Sequence, residues 1–229
     1  LLLALALPAL TLRTAEPGPD TYPQSIPVMK TYNRLQEAFP GTEISANVVV
    51  KAPNLNSAES KEAIGQLEWR ALSTGLLHQP IIVDVNDDAT VANIAIPISG
   101  NGSDKTAEQA LAALRSDIVQ PTVGSIAGWE AGVTGFTAES KDDNDYLKSV
   151  APFVFVFVLG FAFLLLLFAF RSLVIAVKAI LLNLLSVAAA YGVLVLVFQH
   201  GWGKQLIGFE QTGGIVAFLP IFLFVILFG

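Results

Sequence analysis

The chain has 229 residues, is 53% hydrophobic and carries a formal net charge of −6. That balance argues against a nucleic-acid partner, which needs a basic face. The lack of any cysteine excludes disulfides and thiolate metal sites. The charge is unevenly spread: from Thr14 to Ser149 nine Lys/Arg stand against eighteen Asp/Glu, and the only acid elsewhere is Glu210. An acidic, water-exposed part joined to strongly apolar segments is the pattern of a membrane protein.

Leu1 to Leu12 is apolar, broken only by Pro8 and Thr11, and Arg13 follows. A signal-peptide core and the outer end of a membrane span both fit. The absence of a basic segment ahead, and of a small-x-small site at Pro8-Ala9-Leu10, favours the span over residues 1–13. Residues 14–27 hold four prolines and a glycine and read as an extended connector. Val28, Tyr32, Leu35 and Phe39 then recur at helical spacing, with Pro40-Gly41 as the stop.

Within 43–135 two periods alternate. Glu43–Lys51 places Ile44, Ala46, Val48 and Val50 on one strand face. Asn56 or Ser57 caps a helix near 57–77 whose Ile64, Leu67, Ala71 and Leu72 form a stripe. Ile81, Val83 and Val85 form a second strand; Asn86-Asp87-Asp88 turns it into a third carrying Ala92, Ile94, Ile96 and Ile98. A helix near 104–119, opened by Ser103 or Asp104, lines up Ala107, Ala110, Leu111, Leu114 and Ile118. Thr106 with Gln109 offers a capping box if the helix begins there. Trp129, Ala131 and Val133 complete a fourth strand. The order β-α-β-β-α-β is that of a ferredoxin-like α+β domain, two helices on one antiparallel sheet. Thr137 to Lys148 reads as a charged helix entering the next segment.

Ala151 to Phe170 is twenty residues without a charge, roughly 30 Å of helix, the depth of a bilayer core. Two spans, 150–171 and 172–198, are expected around a tight turn at Arg171-Ser172. Arg171 and Lys178 are the charges at the cytoplasmic edge, which puts residues 14–149 and the loop 199–214 on the extracytoplasmic side. The last run, 215–229, is about 22 Å of helix, too short for a full crossing. Pro220 within it favours a kink. A carboxylate ending in lipid would be severely penalised, so the chain reads as a fragment.

The residues supply no catalytic, cofactor-binding or metal constellation, and a non-enzyme is expected. His78 and His200 lack an acid or serine at motif spacing. Asp84, Asp87 and Asp88 read as a turn because the glycine and glutamate of a calcium loop are missing. Asp142, Asp143 and Asp145 read as a solvated helix face. Asn101-Gly102-Ser103 matches a glycosylation sequon and equally a turn. Asn183 is the in-membrane polar contact, read as an interhelical hydrogen bond ahead of a translocation role, and Ala188 with Gly192 offers a close-packing face. The seven phenylalanines between 153 and 170 read as lipid-facing or packing residues.

Several short motifs fall in a telling order: Leu7-Pro8-Ala9-Leu10 with Leu12-Arg13, Phe39-Pro40-Gly41, and Val133-Thr134-Gly135 before an acidic helix. Phe170-Arg171-Ser172, Gln199-His200-Gly201-Trp202-Gly203 and Phe218-Leu219-Pro220 through Leu227-Phe228-Gly229 follow. Together they resemble an MMPL-type transporter of the RND superfamily, and the Gln-His-Gly-Trp-Gly loop resembles its second half. The resemblance implies a multi-pass inner-membrane exporter of lipids or other hydrophobic compounds, driven by the proton gradient, with an extracytoplasmic porter domain over 14–149. It also implies that the proton relay lies beyond Gly229 rather than in this chain. The implied partners are the bilayer, a hydrophobic or lipid substrate, the remainder of the polypeptide and, as an open option, further copies of itself. A permease subunit of a MacB- or FtsX-like ABC system and a membrane-anchored extracytoplasmic sensor or assembly module share the span–domain–spans plan. The sequence beyond Gly229 discriminates among the three.

Overall fold

The computed structural model describes residues 1–14, 18–19, 22–38, 44–207 and 214–228. Two compact units are present, Gln24–Asp142 and a second made of Leu1–Pro23 with Asp143–Gly229.

The first unit contains α2 (Pro27–Ala38), β1 (Ser45–Lys51), α3 (Ala58–Ser73), β2 (Ile82–Val85), β3 (Val91–Pro97), α4 (Lys105–Ala113) and β4 (Glu130–Thr134); α1 is Leu2–Ala6 of the second unit. The four strands form one antiparallel sheet in the order β2-β3-β1-β4. Alternation along each strand sends Ala46, Val48, Val50, Ala92, Ile94 and Ile96 to a single face. There they join Ile64, Leu67 and Ala71 of α3 and Ala107, Ala110 and Leu114 from α4 and its end in one buried cluster. Both helices therefore cover the same side of the sheet, the arrangement that the two periods in the sequence require.

Local chemistry fixes the ends of these elements. The Ser57 hydroxyl accepts from the Ser60 amide at 3.1 Å, and Asp104 Oδ1 accepts from the Ala107 amide at 2.9 Å. Asp104 is thus the cap of α4, and the capping box at Thr106 and Gln109 is not used because the helix has already begun at Lys105. The stretch expected as one helix to 119 changes at Ala113 into a π-helical turn, Leu114–Val119. The hairpin turn rests on Asn86, whose Oδ1 accepts from the amides of Thr90 (2.8 Å) and Val91 (2.9 Å), rather than on its acids. Gly135, at φ +110, passes so close to β1 that an added Cβ would lie 2.8 Å from the Ser45 carbonyl oxygen. This is a physical reason for the glycine of Val133-Thr134-Gly135.

One boundary is corrected here, that of the first long helix. The helix that the spacing of Val28, Tyr32 and Leu35 predicts is α2, with Val28 and Leu35 exposed and Met29 buried. Phe39 and the Pro40-Gly41 stop, like Glu43 of the first strand, lie outside the described residues. Val85 is exposed because β2 is an edge strand with a neighbour on one side only. The helix near 57–77 ends at Ser73.

The second unit is helical. α5 (Phe136–Phe170) is continuous from the charged stretch into the apolar run; its first residues, to Asp142, belong to the first unit. α6 (Leu173–Leu194) follows at once and continues as a π-helical turn over Val195–Gln199. These two segments are long and apolar enough to cross a membrane. The short α7 (Lys204–Ile207) and α8 (Phe218–Phe228) complete the unit. The turn between α5 and α6 needs no spacer. Arg171 takes a left-handed conformation (φ 49) with its amide bonded to the Leu167 carbonyl at 2.8 Å, and the Ser172 hydroxyl accepts from the Ile175 amide at 3.4 Å. One residue closes a helix and the next opens another.

Pro220 does not kink α8. It lies in the first turn, where its missing N–H has no intrahelical partner to lose. The helix begins only at Phe218 because Ile215 is engaged elsewhere, in a bridge with Thr14.

Candidate functional site

The helical unit is tied together at one end by Gln199. Its Nε2 donates to the Thr11 carbonyl at 2.8 Å, and its Oε1 accepts from the Arg13 amide at 3.0 Å. The Ile215 amide then donates to the Arg13 carbonyl at 2.8 Å. The glutamine of the Gln-His-Gly-Trp-Gly motif thus holds the strand-like segment Leu12–Thr14, and that segment holds the entry to α8. Thr14 was expected in an extended connector free of pairing; the bridge to Ile215 corrects this. Trp202 is exposed, and Phe209 falls outside the described residues.

Between this segment, one face of α5 and the start of α8 lies a cavity of about 110 Å³. Asn144, Lys148, Ala151 and Phe155 line it from α5 at helical spacing, and Ala217 and Pro220 line it from the other side. Its wall is almost wholly apolar. Thr14 belongs to the same wall, and its hydroxyl is buried with no hydrogen-bond partner. Asn144 is buried, whereas Lys148 is exposed and makes no ion pair among the described residues. Lining by residues 144 to 155 spans roughly 16 Å along the helix.

Inside the apolar helices the polar groups are spent on backbone. The Asn183 amide approaches the Leu227 carbonyl at 3.5 Å, the long limit of a hydrogen bond. Tyr191 donates its hydroxyl to the Pro220 carbonyl, joining α6 to α8. Phe155 packs on Phe224 with ring centroids 4.3 Å apart, while Phe153, Phe157, Phe161, Phe168 and Phe170 remain exposed. Gly192, of the small-residue face, is buried against the Leu5 carbonyl. Arg171 and Lys178 are exposed.

In the sheet unit the structure brings together pairs that spacing did not reveal. His78 Nε2 lies 2.7 Å from Ser99 Oγ, so His78 has a serine neighbour after all, contributed by the strand pairing of Leu77 with Ile98. Asn101 Oδ1 accepts from the Ser103 amide, so the sequon is a turn. Among the described residues no three His, Asp or Glu side chains converge as a metal site.

Asp142, expected on a solvated face, is instead gripped by Arg115 from the π-helical turn, with Nη1–Oδ1 and Nη2–Oδ2 both 2.7 Å. Arg115 also donates to the Val133 carbonyl at 3.3 Å. The Arg115 hydrogen bond holds the Asp142 carboxyl below its ordinary value of 3.8; slight burial opposes this, and the charges of Arg115 and Lys141 reinforce it. A depressed carboxylate stabilises the fold fully above pH 3.8 and loses that contribution as pH falls through the lower folded value. The Asp142 side chain is 59% exposed, so solvent screening keeps the effect below about 1 kcal/mol. Asp142→Asn should lower the unfolding midpoint slightly at pH 7, and the gap should close as pH falls below 3.8 through the lower folded value. A constant gap across that range would contradict the pairing.

Residues 20–219 match the MMPL family. The chain belongs to the MMPL family. It is 33% identical over its full length to the protein of Mycolicibacterium smegmatis named mycolic acid-containing lipids exporter MmpL11, of which it covers 24%. Over 85% of its length it is 38% identical to the Mycobacterium tuberculosis protein named heme uptake protein MmpL11, covering 20% of that protein. It is 28% identical over its full length to membrane protein YdfJ of Bacillus subtilis, covering 31%. The chain thus spans between a fifth and a third of the length of these MMPL relatives. Gln199, Thr14 and Lys148 escaped the reading of the sequence as site residues, because their neighbours lie up to about two hundred positions away. The recurrence of the glutamine within a motif was the only available signal.

Proposed function

We propose that the parent protein is a proton-driven exporter of lipids or other hydrophobic compounds across the inner membrane. In this reading residues 14–149 form an extracytoplasmic porter domain with a ferredoxin-like core at 43–135. Spans at 1–13, 150–171, 172–198 and 215–229 carry it, joined by the loop 199–214, and the Arg171 turn lies in the cytoplasm with Lys178 near it. The observation that carries this is membership of a transporter family combined with an apolar cavity beside the start of a charge-free helix. An acidic domain spliced between apolar helices, with a basic turn free of acids, supports the orientation. Asn183 acts as interhelical glue. The proton relay lies outside this chain, in the residues that follow Gly229: an acid held in a helix bundle has its pKa raised by desolvation and alternates between charged and neutral forms.

The parent protein is expected to move a labelled lipid outward in a manner abolished by a protonophore and indifferent to ATP. Ser172→Cys should be reached by a membrane-impermeant thiol reagent only from the cytoplasmic side, and Asp143→Cys only from outside. Export that survives the protonophore but needs ATP would favour a permease. Net inward movement of haem, the cargo named for the Mycobacterium tuberculosis relative, would reverse the direction.

A further inference from the structure

Asn101-Gly102 is the one Asn-Gly pair in the chain, and the turn that holds it places a nucleophile beside an electrophile. Asn101 Oδ1 accepts from the Ser103 amide at 3.1 Å. The hydrogen-bonded ring that this closes runs through the Gly102 nitrogen and folds the side-chain carbonyl carbon back toward it. Glycine has no Cβ to obstruct the approach. The Gly102 amide donates no hydrogen bond among the described residues, and Asn101 is partly exposed to water. Asn54 is the contrast within the same fold. Its Oδ1 accepts from the Asn56 amide at 3.0 Å in the same kind of turn. The next residue there is leucine, however, and the Leu55 amide is committed to the Ala89 carbonyl at 2.7 Å.

We propose that Asn101 is a self-modifying site, at which the Gly102 nitrogen converts the side-chain amide to a cyclic imide and then to an isoaspartyl linkage. The Gly102 N–H gives its proton to hydroxide and the nitrogen bonds to Asn101 Cγ, while the carbonyl electron pair moves to Oδ1. The Ser103 amide, already on that oxygen, stabilises the developing charge. The carbonyl re-forms as the bond from Cγ to Nδ2 breaks, and ammonia leaves with a proton from water. Water then opens the imide. Cleavage at Cγ leaves an ordinary aspartyl residue; cleavage at the main-chain carbonyl routes the chain through the side chain and adds a methylene to the backbone. The turn has no slack for that atom. Gly102, at φ +87, lies so close to Ile44 and Phe136 that an added Cβ would stand 2.6 and 2.7 Å from them. The extra length therefore passes to Ser103 and Asp104, and breaks the 2.9 Å bond by which Asp104 Oδ1 caps α4 at the Ala107 amide. Conversion thus frays the start of α4. The inference stands apart from the transport reading.

The test uses the full-length parent protein in detergent, held in mildly alkaline buffer with and without denaturing urea. Conversion is read by peptide mapping in a mass spectrometer and by enzymatic methylation of isoaspartyl carboxylates. In the folded protein Asn101 should lose its amide, with release of ammonia, while Asn54 keeps its own. The converted protein should melt below the parent and exchange the amides of residues 105–107 faster. Asn101→Gln places its carbonyl carbon one bond further out, and Asn101→Ser keeps a hydroxyl acceptor for the Ser103 amide but has no amide to lose. Both should abolish the methylation signal at this turn and hold their melting temperature through the same incubation. Fresh Asn101→Asp, with the charge but not the added methylene, should melt with the parent. An Asn101 amide that survives in the folded protein while it is lost in urea overturns the proposal. So does loss of the Asn54 amide at an equal rate, or a methylation signal that persists in Asn101→Ser. A converted protein with parental melting and exchange overturns the effect on α4.

Discussion

Val48→Asp is expected to leave residues 24–142 unfolded, while Val49→Asp, one position along, leaves them folded. Val48 is fully buried at the centre of β1, paired with Ile94 on one side and Val133 on the other. Every neighbour that an aspartate would meet there belongs to the apolar cluster, so its charge has no partner and its desolvation is uncompensated. The effective penalty is several kcal/mol for the ion, with a further loss of order 1 kcal/mol or more from the missing methyl packing. A domain stable by roughly 5–15 kcal/mol has little margin for that sum. Val49 points to the opposite face and is 38% exposed, with Asn93 and Gly132 as its lateral neighbours. An acid there loses β-propensity of about 1 kcal/mol or less. Segment 24–142, expressed alone, should show a cooperative urea transition in the parent and in Val49→Asp but none in Val48→Asp. A cooperative transition in Val48→Asp but none in Val49→Asp would mean that the strand is registered one residue away from the position described.

That contrast also shows which features the sequence made readable. Strand faces were legible because the side-chain period of two is local: Ala46, Val48 and Val50 announce the buried side without any knowledge of what covers it. The stripes of α3 and α4 were legible for the same reason, and the twenty-residue charge-free run could be read by length alone. What escaped depends on neighbours distant in sequence. Val28 and Leu35 have helical spacing, yet spacing does not say whether a partner surface exists. Arg115 and Asp142 are 27 positions apart, and only the π-helical turn together with the start of α5 brings a guanidinium to a carboxylate that resembled solvated charge. The cavity was the least legible feature, because it needs three separate chain segments, one of them held by the side chain of Gln199. Motif resemblance marked the glutamine without giving its reason, which the two hydrogen bonds to residues 11 and 13 supply.

The second large effect is expected at Gly192. On α6 this residue faces α1, and a Cβ built there would overlap the carbonyl oxygen of Leu5. The obstruction is backbone, so no rotamer change relieves it; the whole of α1 has to move, or α6 has to bend. Gly192→Ala already introduces the offending atom, and overpacking of this kind costs typically 1–3 kcal/mol and more where the backbone itself must shift. Displacing α1 also strains the bonds from Gln199 to residues 11 and 13, which fix the same segment a few residues further on. Gly160 provides the matched control, since an added Cβ on that glycine of α5 meets nothing within 4 Å. Alanine there should be neutral or slightly stabilising through helix propensity, by up to about 1 kcal/mol. In the detergent-solubilised parent protein, Gly192→Ala should lower the melting temperature by several degrees and reduce the monodisperse fraction, whereas Gly160→Ala should match or exceed the parent. Gly192→Leu should yield no monodisperse protein. If Gly192→Ala melts with the parent, α1 does not pack on α6 at this point, and the Leu12–Thr14 wall of the cavity loses its support.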